Sequence, residues 1–359
     1  MNRHVNAIAG RLTLRPPQRR SLEILDRITE FAPLRKDAEA SEALAAIRSE
    51  FPTVTDFERE FPSLCFALAT GVGKTRLMGA FISYLHLAHG INNFFVLAPN
   101  LTIYNKLIAD FTPNTPKYVF KGIAEFATET PEIITGENYD QRSGGFDELF
   151  RVRVNIFNIS KINSEVRGGK SPRIKRLSEY IGQSYFDYLA GLPDLVLLMD
   201  ESHRYRASAG IRAINELKPM LGLEVTATPF TEGSQGAIPF KNVVYDYPLA
   251  RAMADGFVKE PAVVTQRNFD ARQFTPPQIE RIKLEDGIRL HEATKVELET
   301  YARQSDCRRV KPFVLVIARD ITHAKELLDL IQSDNFFDGR YKDRVIQVEI
   351  GRASCRERV

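Results

Sequence analysis

The chain has 359 residues, 43% of them apolar and 26% charged, and a formal net charge of +3. This is the make-up of an ordinary globular protein with room for one large or two medium domains. No apolar run reaches the roughly eighteen residues a membrane span needs and no signal-peptide core follows Met1, so a cytoplasmic protein without membrane contact is expected. The three cysteines, Cys65, Cys307 and Cys355, have neither zinc spacing nor a disulfide framework, and a near-neutral chain gives no global argument for a polyanionic partner.

The first predicted element is a helix introduced by Leu14-Arg15-Pro16-Pro17-Gln18, with Leu22, Leu25 and Ile28 on one side, inside an N-terminal helical segment of residues 1–50. Ser63-Leu64-Cys65-Phe66-Ala67-Leu68 is a short, nearly unbroken apolar run, the pattern of a parallel strand buried on both faces. Thr70-Gly71-Val72-Gly73-Lys74-Thr75 then opens a helix whose Leu77, Met78, Phe81, Tyr84 and Leu85 recur at helical spacing. A second strand over Phe94 to Ala98 ends in Pro99-Asn100-Leu101-Thr102. From about 112 to 150 the pattern weakens around Pro113, Pro116, Pro131 and Gly144-Gly145, and an insertion or mobile loop is expected. Val154 to Ile159 makes a strand with a polar turn at Ser160-Lys161, and Asp194 to Met199 makes another, capped by Asp200-Glu201-Ser202-His203. Leu223 to Val225 runs into Thr226-Ala227-Thr228-Pro229. Such alternation of strands and helices implies an α/β fold over residues 51–261, with a parallel sheet covered by helices on both faces.

A polar, helix-prone connector is expected over 262–310. A second sheet should begin with Pro312 to Ala318, followed by a helix bearing Ala324, Leu327, Leu328 and Ile331 and a strand at Val345 to Glu349, making 311–349 the truncated start of a second domain. No internal repeat stands out.

Two of these blocks together supply what a magnesium-bound ATP needs. Gly71 and Gly73 let the main chain curl so that the amides of Thr70 to Gly73 face phosphate oxygens, at the positive N-terminal end of the following helix. Lys74 would reach the outer phosphates and Thr75 would ligate magnesium. Carboxylates at the tip of a buried strand sit at the ligand edge of an open α/β sheet, so Asp200 would hold magnesium and Glu201 would activate the attacking water. The plain alternatives are a glycine turn before a helix and a solvated acidic pair; the buried strand preceding each block favours the catalytic reading. One departure from G-x-x-x-x-G-K-[ST] is Leu68 at the place of the first glycine. An isolated histidine is usually structural, but within Asp-Glu-x-His, His203 is expected to couple the phosphate site to the next segment.

The order of these blocks resembles superfamily-two DEAD/DEAH-box helicases, and most closely the ATPase-helicase part of type III restriction enzyme Res subunits, over most of residues 10 to 260. The resemblance implies a RecA-like P-loop NTPase domain over 51–261 and the start of a second one. It implies that Gln18 reads the adenine edge, that Pro99, Asn100 and Thr102 touch a nucleic-acid backbone, and that Thr226 and Thr228 link hydrolysis to movement. The activity so implied is DNA-stimulated ATP hydrolysis by a motor on double-stranded DNA, within a restriction endonuclease that partners a modification methyltransferase. A stand-alone DExH helicase on RNA or DNA, or a non-motor ATP-binding regulatory protein, stays open as an alternative. The family places an arginine-bearing segment late in the second motor domain, a feature worth about a thousandfold in turnover. None occurs before residue 349, so weak hydrolysis is expected.

Residues 350–359 resemble a reading frame of a common DNA-sequencing adapter and are set aside. Removing Arg352, Arg356 and Arg358 against Glu357 takes away a net +2, leaving +1. Two local basic clusters remain, Arg167 to Arg176 and Arg151 with Arg153, and runs of this kind are more often solvated surface than binding sites.

Overall fold

The computed structural model describes residues 2–32, 34–36, 38–139, 151–158, 183–206, 214–233 and 236–348, and the chain divides into two units, Met1–Ala262 and Val263–Val359. The strands of the first unit are β1 (Ser63–Leu68), β2 (Asn93–Ala98), β3 (Glu132–Thr135), β4 (Arg153–Asn158), β5 (Leu195–Asp200), β6 (Leu221–Thr226), β7 (Phe230–Gly233), β8 (Gly236–Pro239) and β9 (Val243–Tyr247). Seven of them form one sheet in the order β3-β4-β2-β5-β6-β1-β9, all pairs parallel, while β7 and β8 make a small antiparallel hairpin.

Parallel strands covered on both faces have no solvent side, so β1, β2, β4, β5 and β6 are buried along their whole length. Alternation sorts their side chains into two layers. Phe94, Val96 and Ala98 face one core with Leu64, Phe66, Leu198 and Val225; Phe95 and Leu97 face the other with Leu197 and Met199.

The first layer is built by α1 (Arg3–Arg11), α2 (Pro16–Phe31), α3 (Ala40–Glu50), α4 (Lys74–His89) and α5 (Leu101–Phe111), through residues such as Ile8, Leu25, Ile47, Leu77 and Leu107. The N-terminal helices therefore share one core with the sheet. Helix α4 carries more than the apolar face its sequence predicts, since every residue from Leu77 to Leu85 is buried. The short α6 (Ala124–Thr128) lies in the connection from α5 to β3, and α7 (Gln183–Gly191) covers the second face through Tyr185, Phe186 and Leu189. The unit closes with α8 (Leu249–Ala254).

The expected loose insertion after residue 112 requires correction over its described part. Val119, Phe120, Ile123 and Phe126 are buried, and Val119 lies so close to α4 that a Cβ on Gly79 would stand 2.8 Å from its Cβ. The segment ends in β3, the edge strand of the sheet. Its apolar residues sit in turns and one five-residue helix, too short for a helical or strand period to show. Gly144-Gly145, Ser160, Lys161, the cluster Arg167 to Arg176 and the tail 350–359 lie outside the described residues. Arg153 is a buried part of β4, 2.9 Å from the Tyr188 hydroxyl.

The second unit holds α9 (Pro276–Gln304) and α10 (Ile321–Gln332), with a small core of Leu284, Leu327, Ile331, Phe336 and Tyr341. The helix expected around Ala324 to Ile331 is present; the two strands are not. Among the described residues neither Pro312 to Ala318 nor Val345 to Val348 forms a strand, and Phe313, Leu315 and Ile317 are 85%, 74% and 85% exposed. A run with strand propensity becomes a strand only when a neighbour takes up its backbone hydrogen bonds.

Candidate active site

The loop between β1 and α4 has the shape its glycines predict. Gly71 (φ +87°) and Gly73 (φ +100°) both take the left-handed conformation, and α4 begins at Lys74. Leu68, where the usual pattern has glycine, is the fully buried last residue of β1, and Val72 is buried beneath the loop. The departure thus falls in the strand, before the curl begins. Thr70 and Gly71 are exposed, and Gly73, Lys74 and Thr75 are half-buried.

The N-terminal segment braces this loop. Gln18 is 2% exposed; its Oε1 accepts from the Arg15 backbone N–H at 2.8 Å and its Nε2 donates to the Gly73 carbonyl at 2.8 Å. A Cβ on Gly73 would lie 2.6 Å from Gln18 Nε2, the end of a side chain that would have to shift, while the φ of +100° is what calls for glycine there. Arg15 donates to the Gly71 carbonyl at 2.8 Å and lies 5.1 Å from the centre of the Phe257 ring. Gln18, expected to read the adenine edge, here uses one of its two amide N–H groups and one acceptor site of its oxygen on the chain itself. Arg15 was not anticipated, since a lone arginine before two prolines carries no local sign of a partner so far along the chain.

Opposite the loop stand the carboxylates at the end of β5. Asp200 is the buried last residue of the strand, and the Glu201 backbone N–H donates to its Oδ1 at 3.0 Å. Glu201 takes the left-handed conformation (φ +50°, ψ +53°), a strained one for a residue with a side chain. Its carboxylate meets Lys74 Nζ at 2.9 Å. Burial, and then the neighbouring Glu201 charge, push the Asp200 carboxyl up to about 6, although Lys74 and Lys106 pull it down. A carboxylate buried beside a second acid in this way is suited to a bound cation.

Lys106 on α5 donates to Thr75 Oγ1 at 3.4 Å, placing a second ammonium beside the loop. It was missed because nothing in its own segment marks it; only the packing of α5 beside α4 brings it there. Among the described residues no cluster of three or more His, Cys, Asp or Glu forms a ready-made metal centre. A magnesium ion held by Thr75 and Asp200 would draw its remaining ligands from water and phosphate, as this metal commonly does.

Between the two halves lies the end of β6. The sheet places β6 between β5 and β1, in register Asp200 with Val225 and Ala67 with Thr226, so the three strand tips are flush. Thr226 is fully buried and Thr228 half-buried. His203, on a 3-10 turn over Ser202–Tyr205, has its Nδ1 3.1 Å from Thr226 Oγ1, 3.0 Å from Thr228 Oγ1 and 3.6 Å from Glu201 Oε2. Burial lowers its imidazole below the ordinary value, and Arg204 and Lys74 add to this while Glu201 opposes it.

The candidate nucleic-acid contacts are differently disposed. Pro99 is buried, and Asn100 caps α5 by accepting from the Ile103 backbone N–H at 2.9 Å. Thr102 is exposed.

A parallel sheet with a glycine loop after one strand and paired carboxylates after another defines a RecA-like P-loop NTPase domain. The chain belongs to the family of the type III restriction enzyme res subunit, whose model matches residues 12–231. Two solved structures are similar at 14% identity each. One is a Sulfolobus solfataricus SWI2/SNF2 ATPase core in complex with dsDNA, with a TM-score of 0.29 over 54% of this chain. The other is a nuclease-deletion mutant of the Type ISP restriction-modification enzyme LlaGI in complex with a DNA substrate mimic, with a TM-score of 0.37 over 76% of this chain. The match spans only 33% of the first and 23% of the second, and what they bind is said of those proteins. No curated protein sequence matches the chain.

Proposed function

We propose that the chain is the ATP-hydrolysing part of a nucleic-acid motor, the DNA-translocating portion of a type III restriction endonuclease subunit. Its substrate is ATP, its cofactor Mg2+ and its track double-stranded DNA. The observation that carries the reading is the 2.9 Å contact between Lys74 Nζ and Glu201 Oε1: the phosphate-binding ammonium and the candidate base, far apart in the chain, face each other across one cleft.

The residues present suit the substrate. The two left-handed glycines open the backbone of the loop toward phosphate oxygens, and Lys74 stands at the head of α4 where helix dipole and side chain act together. Magnesium, held by Thr75 and Asp200, would neutralise charge on the phosphate oxygens. Phosphate competes with Glu201 for the Lys74 ammonium, and a Glu201 carboxylate released from that pair is free to take a proton from water.

His203 passes the change on. A neutral imidazole has one Nδ1, which either accepts from a threonine hydroxyl or, carrying its proton, donates to Glu201. It cannot do both at once. Movement of Glu201 therefore changes the hydrogen bonds open to Thr226 and Thr228 at the end of β6, and this gives a route from hydrolysis to the grip on nucleic acid.

The test is ATP binding and turnover, with and without double-stranded DNA or RNA, across a salt series. Stimulation by DNA that weakens steeply with salt is expected. Lys74→Ala should abolish nucleotide binding, and Glu201→Gln should retain binding while losing turnover. ATP affinity and turnover indifferent to either polymer would overturn the motor reading, and stimulation by RNA alone would replace DNA as the track.

A further inference from the structure

On the face of the sheet away from α4, beneath the site, is a buried group of charges that the reaction above does not use. Glu224 is fully buried within β6. Its Oε2 accepts from Arg206 at 2.5 Å, and its Oε1 accepts from Ser63 Oγ at 2.8 Å and Asn242 Nδ2 at 3.0 Å and lies 3.6 Å from Arg59 Nε. Arg206 also pairs with Glu58, donates to Asn242 Oδ1 at 3.1 Å and stands 3.8 Å from the centre of the Phe240 ring. The side chains of Arg59 and Arg206 are 0% and 7% exposed.

Burial alone would raise the Glu224 carboxyl, but Arg206 and Arg59 outweigh it and hold the group below the ordinary carboxylate range. Burial pulls Arg59 down, from a starting value high enough to leave it charged. The cluster is thus ionic in a place where apolar side chains of similar volume would hold the sheet together as well or better. Buried charge of this kind earns a second explanation when it fixes one arrangement among several of similar energy.

What it fixes is visible in the chain. Arg206 follows directly on the Ser202–Tyr205 turn that carries His203, and Glu224 lies two residues before Thr226. We propose that Arg206 and Glu224, with Arg59 beside them, are positioning residues that hold the His203 turn in register with the end of β6, so that His203 Nδ1 meets Thr226 and Thr228. The two segments are then pinned at two points, one permanent and ionic, one hydrogen-bonded and switchable. A misplacement on the order of 1 Å at a reacting constellation costs about a hundredfold, which sets the expected loss if the ionic pin is removed. The proposal rests on the reading of His203 given above.

Its test separates registration from stability. The triple replacement Arg59→Met, Arg206→Met and Glu224→Leu exchanges the charges for apolar volume in the full chain. Glu224→Gln, which keeps shape and most hydrogen bonds, takes its place if the triple variant does not fold. Thermal unfolding, binding of a non-hydrolysable ATP analogue, 15N shifts of the His203 imidazole and DNA-stimulated turnover are measured on each.

Folded protein with nucleotide binding intact, His203 shifts moved toward those of a free imidazole and turnover down about a hundredfold is the expected result. Unmoved His203 shifts in a folded variant would overturn the proposal, whatever the turnover. If even the natural chain hydrolyses no ATP, the motor function fails, and the imidazole shifts alone still decide whether the cluster positions His203.

Discussion

Asp200→Asn should make the nucleotide-free protein more stable while abolishing the magnesium binding proposed above. In the folded chain the Asp200 carboxyl is raised from 3.8 to about 6, burial being the main cause. Each pH unit is worth about 1.4 kcal/mol, so ionised Asp200 costs folding about 3 kcal/mol above pH 6. The sign follows from proton counting: between the two values the folded state holds more protons than the unfolded one, and stability falls as pH rises through that window. Asparagine keeps the acceptor for the Glu201 N–H and carries no charge. For a unit of this size 1 kcal/mol corresponds to about 2–4 °C, so the variant should melt about 6–12 °C above the natural chain at pH 8 without metal. The gap should narrow to about half by pH 5, where the folded natural chain is already mostly protonated. Calorimetry of both proteins from pH 5 to pH 8 in chelator reads this directly. A variant no more stable than the natural chain at pH 8, or a gap indifferent to pH, would refute the account of Asp200 as a carboxylate whose charge burial disfavours.

Other changes probe the remaining contacts. Gln18→Ala should weaken ATP and GTP alike by roughly tenfold, because it leaves the Gly73 carbonyl and Arg15 N–H without partners; loss of ATP affinity alone, by calorimetric titration, would instead support adenine reading by Gln18. Gly73→Ala should lower the thermal midpoint, since its methyl would approach Gln18 Nε2 to 2.6 Å at a φ that side chains avoid at a cost of about 1–3 kcal/mol. Thr226→Ala with Thr228→Ala should keep ATPase activity and lose translocation, and a normal rate of strand movement in a displacement assay would remove them from coupling. A chain ending at Ala262 should keep its cooperative melt and bind less of a hydrophobic dye than the whole chain, because Phe313, Leu315 and Ile317 no longer offer their apolar surface; loss of the cooperative transition would show the two units to be interdependent.

Much of the fold was legible because its signals are local. The bounds of β1 could be read from Ser63 to Leu68, and those of β5 to within a residue, since a strand buried on both faces writes itself as an unbroken apolar run. The reading failed where an element depends on its neighbours. Pro312 to Ala318 has the residues of a strand and no ladder partner among the described residues, whereas Val119 to Phe126 has no regular period and yet buries its apolar side chains, with Val119 against Gly79 of α4. Glu224 offered a sign that could have been used: one acidic residue inside an otherwise apolar strand asks for a buried partner.

By itself the sequence determined the glycine loop at the head of α4 and the carboxylates at the tip of β5, since backbone curl, helix start and strand burial each depend on a few consecutive residues. Tertiary structure alone decided that β6 lies between those two strands, that Lys74 faces Glu201, that Gln18 turns to Gly73 and that Arg206 finds Glu224. Strand order and side-chain pairing are set by the closing of long stretches of chain around a shared core, and no short window of residues contains that information.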